Sequence, residues 1–253
     1  GRLVVAHDIT DMKLAEQKLQ ERAAQLEAAN EELLALSVIK DEFVANVSHE
    51  LRTPLANLNL YHDLMLRKPA RLVDYVAILQ RETMRLGLII EDLLALSRLD
   101  RDKDSIQCEI TNLNELVEIL ALDRQRLAGQ KGIMLHYKLD GELPLVSIDF
   151  SMMTQVLGIL LTNAMNYTPS GGEITIYTRG KQEKAQEFVG FYVQDTGYGI
   201  SATDKAQLFT RFFRGEASTN TGNAGTGLGL AIAKEIVDRH NGQIEIYSNG
   251  VPG

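Results

Sequence analysis

The sequence predicts a multidomain protein of the α plus α/β class: a helical hairpin that pairs into a four-helix bundle, followed by a two-layer α/β sandwich. Three observations predict this. Met12, Leu19, Leu26 and Leu33 recur at the heptad spacing of helices that wind around one another. Two long helical patterns then flank a single breaker, Arg67-Lys68-Pro69-Ala70, because proline and the residue before it disfavour helix. From Ile106 onward, short strand-like runs alternate with helical runs, the pattern of helices laid on one face of a mixed sheet.

Composition narrows the possibilities. With 253 residues the chain has room for one or two domains with real cores. A net charge of −8 argues against a nucleic-acid-binding surface. Cys108 is the one cysteine, so no disulfide framework exists within a chain, and it reads as a small core or strand residue. No apolar run approaches the roughly 20 residues that cross a bilayer, so no membrane segment is expected in this chain. The chain opens in mid-pattern and closes on Gly250-Val251-Pro252-Gly253. The expectation is a cytoplasmic piece of a longer polypeptide whose membrane anchor, if any, lies upstream.

Leu3 to Ala6 reads as a short strand, after which Thr10 or Asp11 can cap a helix. A second heptad row, Ala15, Arg22, Ala29, Leu36 and Phe43, runs beside the first and completes the seam of a parallel dimeric coiled coil. Arg22 and the alanines weaken this row, so the stalk either only joins two chains or also shifts between packings. The helix continues to about Met65 or Leu66. A second runs from about Leu72 to Leu99, with Val76, Leu79, Leu86, Ile89, Ile90, Leu93, Leu96 and Leu99 as its apolar face. One hairpin cannot hide such a face, so two pair across a homodimer. Asp100 to Ser105 is charged and reads as a hinge. Beyond it, strands are expected at Ile106–Ile110, Ile133–Leu139, Glu173–Arg179, Phe188–Gln194 and Gln243–Ser248. Helices are expected from Asn112 or Asn114 to Ala128, over Phe150–Asn166 behind an Asp149 cap, and over Leu228–His240.

Within the first helix, Phe43, Val47, Leu51 and Leu55 recur every four residues as one buried stripe. His49 lies about 200° round from Val47 and should face solvent. An imidazole is an able nucleophile near neutral pH, and the carboxylate of Glu50 can hold the proton of the far ring nitrogen. Pro54 should loosen or bend the helix just beyond. Downstream, Asn163 offers an amide oxygen suited to a hard cation such as Mg²⁺, although an asparagine there can equally be a cap. Asp195-Thr196-Gly197-Tyr198-Gly199 follows a strand. Asp195 can accept a hydrogen bond from an amino group, and Gly197 and Gly199 let the backbone come close to a ligand. Gly225-Thr226-Gly227-Leu228-Gly229 opens a helix, where free N–H groups favour phosphate. Between them lie Leu208 to Gly215 and a polar run, Glu216 to Ala224, a candidate lid.

The run Ser48-His49-Glu50-Leu51-Arg52-Thr53-Pro54-Leu55 resembles the H box of sensor histidine kinases. The four later runs, around Asn163, at Asp195 to Gly199, at Leu208 to Gly215 and at Gly225 to Gly229, in this order resemble the N, G1, F and G2 boxes of the same family, whose catalytic domain has the Bergerat-type ATP-binding fold. Asp8 to Glu16 resembles the exit from a PAS-type sensor. The resemblance implies the end of a PAS-like sensor at 1–10, a coiled-coil signalling helix at 11–40, a dimerisation and histidine phosphotransfer domain at 41–104, and a catalytic ATP-binding domain at 105–253. It also implies ATP and Mg²⁺, autophosphorylation of His49, and transfer to an aspartate of a response regulator. Asn163 would ligate Mg²⁺, Asp195 would read adenine, and Asn166 and Tyr167 would line the pocket. Gly225, Gly227, Leu228 and Gly229 would cradle phosphates, within reach of Arg214. Glu50 and Thr53, three apart on one helical face, are similar to the E-x-x-T that orients water in family phosphatases.

Two departures keep alternatives open. Ile159 stands where the kinases usually carry a second asparagine and the related ATPases a glutamate. Asn166 stands where a lysine is common, so Arg214 or Arg211 is the expected substitute charge. These departures favour, as rivals, a nucleotide-binding relay without catalysis. An ATP-hydrolysing motor is disfavoured by Ile159 and by the intact H box.

Overall fold

The computed structural model describes residues 10–101, 106–183, 186–215 and 225–248. The expected strand at Leu3–Ala6, the PAS-like exit before Thr10, most of the hinge and the polar run Glu216–Ala224 lie outside these residues. The chain divides into two units, Gly1–Arg52 and Thr53–Gly253.

Helix α1 covers Thr10–Arg67, 58 residues, with no glycine and one internal proline. Up to Arg52 it carries the heptad row on its surface: Met12, Leu19, Leu26 and Leu33 are 64 to 72% exposed. Phe43, Val47 and Leu51 are half-buried and His49 is exposed, as the spacing predicts. The helix runs on through Pro54. One expectation needs correction: Leu55 is 55% exposed, while Pro54 is buried in its place. A four-residue step advances about 400°, so a strict spacing of four drifts about 40° per step and carries Leu55 off the stripe.

In the second unit, the end of α1 turns through a short 3-10 segment, Pro69–Arg71, into α2, Leu72–Arg101. Asn57 donates to Glu82 at 3.0 Å, and the Tyr61 and Tyr75 rings pack 5.8 Å apart, tying α1 to α2 as an antiparallel hairpin. Ile89, Leu96 and Leu99 are buried, whereas Ile90, expected beside them, is 50% exposed.

The α/β part follows as β1 (Glu109–Thr111), α3 (Leu113–Gln130), β2 (Met134–Lys138), β3 (Val146–Ile148), α4 (Phe150–Tyr167), β4 (Glu173–Glu183), β5 (Gln186–Asp195), a single turn α5 (Ala202–Lys205) and α6 (Gly229–Arg239). β2 and β4 are parallel, β4 and β5 form a hairpin, and β1 pairs with β3 antiparallel. Asn112 caps α3 and Asp149 caps α4, each through a side-chain oxygen that accepts a helix N–H. Alternation on β4 turns Ile174, Ile176 and Thr178 into the core, where α3, α4 and α6 contribute Val117, Leu157, Leu161, Ile232 and Ile236. β3, three residues beside an exposed Leu145, gave no sequence signal of its own.

Two further expectations fail. Cys108 is exposed and precedes β1 rather than sitting in a core. Gln243–Ser248 forms no strand. A strand exists only through its ladder, and among the described residues this run pairs with none; Ile200 N–H donates to Ser248 Oγ instead.

A polar knot closes the far end of the sheet. Thr178 Oγ1 donates to Asn114 Oδ1 at 2.6 Å and accepts from Asp140 N–H at 2.9 Å, while Asn114 Nδ2 donates to the Asp140 carbonyl at 2.7 Å. Thr178→Val takes this partner from Asn114 Oδ1 and Asp140 N–H, both on half-buried residues. It is expected to lower unfolding free energy by about 1–3 kcal/mol, read from urea titration of the chain. His240, given no role by sequence, joins α6 to α4: its Nε2 accepts from Asp149 N–H at 3.0 Å and its Nδ1 bonds the Ile236 carbonyl at 2.8 Å.

Candidate active site

The three nucleotide motifs, separated in sequence, meet through the backbone. The end of α4 bonds the loop after β5: Tyr198 N–H donates to the Tyr167 carbonyl at 3.2 Å. Gly197 sits so close that a Cβ there would stand 2.5 Å from the same carbonyl oxygen and 2.7 Å from Asp195 Oδ1. Asp195 Oδ1 accepts from Gly197 N–H at 2.9 Å, which shapes the turn and leaves Oδ2 as its outward acceptor. About two turns earlier on α4, Gly229 rests on Ile159, whose Cγ2 would lie 3.2 Å from an added Cβ. Phe212 N–H donates to the Gly227 carbonyl at 2.8 Å, and both residues have positive φ, 64° and 70°. A Cβ on Gly227 would meet the Phe212 backbone at 2.6 Å. The segments 195–199, 208–215 and 225–229 are thus fastened around α4.

The individual residues fall as follows. Asn163 is half-buried on α4, and among the described residues nothing hydrogen-bonds its amide. An amide left in that state fits the metal ligand expected of it. Asn166 accepts from Lys131 Nζ at 2.9 Å, and Lys131 also reaches the Met165 carbonyl at 3.4 Å. A lysine therefore stands beside this position after all, supplied by the C-terminal cap of α3. Arg211 and Arg214 are half-buried beside Phe212 and Phe213. Leu228 is fully buried and its N–H donates to Thr226 Oγ1 at 3.1 Å, so only backbone can serve a ligand there. Gly225 has open space around it, and Gly199 takes a φ of 70°. His49 and Thr53 are exposed on α1, and Glu50 is half-buried.

Two contacts were not read from sequence. Thr226 Oγ1 donates to Asp92 Oδ2 of α2 at 2.5 Å. Burial pushes the Asp92 carboxyl above the usual carboxylate range and Glu91 adds to this, against the lowering effect of the Thr226 bond. Arg239, at the far end of α6, donates to the Leu99 carbonyl and pairs with Glu235 at 3.3 Å. A signal for Asp92 existed: it falls between Ile89 and Leu96 at steps of three and four, a charge on an apolar face. None existed for Lys131.

The phosphoacceptor family "His Kinase A (phospho-acceptor) domain" matches residues 39–102. The family "Histidine kinase-, DNA gyrase B-, and HSP90-like ATPase" matches residues 148–252. The chain belongs to the sensor histidine kinases, a class of ATP-dependent enzymes of two-component signalling. The sensor protein kinase WalK of Staphylococcus haemolyticus is 32% identical over 257 residues, covering 100% of this chain and 38% of that protein. The chain thus spans well under half the length of that curated relative. Among solved structures, the Acinetobacter baumannii histidine kinase AdeS superposes with a TM-score of 0.61 at 25% identity, covering 80% of this chain and 92% of the other. Full-length ShkA, solved in complex with AMPPNP, superposes with a TM-score of 0.55 at 26% identity, covering 79% and 41%.

Proposed function

We propose that this chain is the transmitter portion of a sensor kinase: it phosphorylates His49 from Mg-ATP and passes the phosphoryl group to an aspartate of a response regulator. The observation that carries this reading is the fastening of the G1, F and G2 runs around one helix, with an unbonded Asn163 amide on that helix. The AMPPNP complex of the ShkA relative supports it. We assign 1–10 to the end of a PAS-like sensor, 11–40 to the coiled-coil stalk, 41–104 to dimerisation and phosphotransfer, and 105–253 to nucleotide binding. The exposed heptad row and the exposed apolar residues of α2, Met84, Leu88, Ile90 and Leu94, support a homodimer. No helix among the described residues is long and apolar enough to cross a membrane. Since ATP is the substrate, the catalytic part works on the cytoplasmic side.

In the reaction, the unprotonated ring nitrogen of His49 attacks the γ-phosphorus in line. The P–N bond forms as the bond to the β,γ-bridging oxygen breaks, and ADP departs. Glu50 takes up the proton of the other ring nitrogen as the imidazole gains positive charge. Asp195 Oδ2 accepts from the adenine amino group, and backbone N–H groups of 225–229 hold phosphate oxygens. Asn163 would hold the metal, which supplies charge neutralisation on the phosphates when bound. Positioning and fixed charge carry most of the rate in phosphoryl transfer.

Incubation with γ-labelled ATP and Mg²⁺ tests the reading. Label that is acid-labile and base-stable, as a P–N bond requires, supports it; bound nucleotide without such label would instead leave a non-catalytic relay. Phosphatase action on the regulator is a further part of the proposal, resting on Glu50 and Thr53 sharing a helical face. Thr53→Ala is expected to label at the wild-type rate while regulator dephosphorylation falls about 100-fold, the lower end of what a positioned side chain contributes to proton transfer. Equal dephosphorylation rates would remove this part.

A further inference from the structure

Helices α4 and α6 lie side by side and antiparallel, and the two parts of the proposed nucleotide site sit on different members of the pair. At one end Gly229, which opens α6, rests on Ile159 of α4. At the other end His240, just past α6, meets Asp149, the cap of α4. The lengths agree: at about 1.5 Å per residue, Asp149 to Ile159 spans about 15 Å and Gly229 to His240 about 16 Å. Asn163 lies one turn beyond Ile159 on α4, and the run Gly225–Gly229 leads into α6. The distance from metal ligand to phosphate cradle is therefore set by where the two helices stop along each other. Apolar burial draws them together without choosing that place. Sliding by one turn would move the cradle about 5.4 Å past Asn163.

The bond at the far end does choose it. A backbone N–H can only donate, so His240 Nε2 receives from Asp149 N–H at 3.0 Å through its lone pair. A carbonyl can only accept, so the proton of the neutral ring stands on Nδ1, 2.8 Å from the Ile236 carbonyl one turn back. The ring is thereby locked onto its own helix with Nε2 turned to α4. A helix that carries Glu or Gln three residues past its cap satisfies the N–H of the cap locally. In α4 that position is Met152, which has no carboxyl or amide oxygen, and His240 supplies the acceptor from 91 residues away.

We infer that His240 is a positioning residue for the proposed phosphoryl transfer: as the Nδ1–H tautomer it fixes the register of α6 on α4, and through it the spacing of Asn163 from the phosphate cradle. The inference rests on the nucleotide site proposed above. It requires an acceptor held at the end of α6, not merely some acceptor for Asp149 N–H, and variants separate the two.

The test is the rate of His49 labelling at saturating Mg-ATP, measured on the whole chain together with its melting temperature. A glutamine amide reaches the place of Nε2, where its oxygen can accept from Asp149 N–H; an asparagine amide stops at the place of Nδ1. His240→Gln is expected to label within about threefold of wild type, and His240→Asn about 100-fold more slowly, the loss that a misplacement of about 1 Å far from the chemistry can bring. Adding Met152→Glu to His240→Asn gives Asp149 N–H an acceptor from within α4 and leaves α6 untied. This double variant is expected to melt within about 4 °C of wild type, yet to label as slowly as His240→Asn. Nitrogen-15 NMR of the wild-type imidazoles is expected to show His240 with Nδ1 protonated and Nε2 bare. Equal labelling in the Gln and Asn variants overturns the inference, as does recovery of labelling in the double variant or a proton on Nε2. Slow labelling matched in every variant by a lost melting temperature reduces His240 to a structural residue and overturns it too. Absence of label in the wild type overturns the proposed reaction, and the positioning role with it.

Discussion

His49→Gln is expected to take up no acid-labile phosphate from γ-labelled ATP while binding nucleotide as wild type does. Glutamine is close to histidine in size but has no nitrogen lone pair able to attack phosphorus. His49 is exposed, so the change removes no packing, and stability should move by less than about 0.5 kcal/mol. The residues assigned to nucleotide lie between 163 and 229, so affinity for the analogue should stay unchanged. The pairing of lost label with retained binding is what a phosphoacceptor predicts. Label surviving in His49→Gln would move the acceptor elsewhere; loss of binding would mean that His49 serves the fold or the pocket.

Gly227→Ala is expected to weaken nucleotide binding about 30-fold or more, with label lost in proportion. An L-residue at a φ of 70° costs about 1–2 kcal/mol. To this is added the overlap of the new Cβ with the backbone of Phe212 at 2.6 Å, which no side-chain rotation relieves. The loop must then part from Phe212, and the 2.8 Å bond from Phe212 N–H to the Gly227 carbonyl is lost with it. Gly180→Ala is the matched control, since nothing lies within 4 Å of its added Cβ. Comparable losses in both variants would show general destabilisation rather than damage to the cradle.

Much of this was legible in the sequence because the chemistry there is local. A cap such as Asp149 or Asn112 acts within three residues, and Pro69 stops a helix where it stands. The helices behind these signals begin within a residue of expectation. The exposure of His49 follows from helical periodicity alone. A strict spacing of four is not the period of a helix, so Leu55 rotates off the face that Pro54 fills. What could not be read depends on partners distant in the chain. Gln243–Ser248 has strand composition, but composition cannot supply a ladder. Ile159 read as a missing polar ligand, and its packing against Gly229 is visible only once α4 and α6 are placed together. Lys131 supplies a cation to Asn166 across 35 residues, and Asp92 reaches Thr226 across 134.

The most direct measurement is a crystal structure of the chain with Mg²⁺ and a non-hydrolysable ATP analogue. The adenine amino group is expected within hydrogen-bonding distance of Asp195 Oδ2, the metal on Asn163, and the phosphates along 225–229. A nucleotide bound away from these residues, or none at saturating concentration, would contradict this placement.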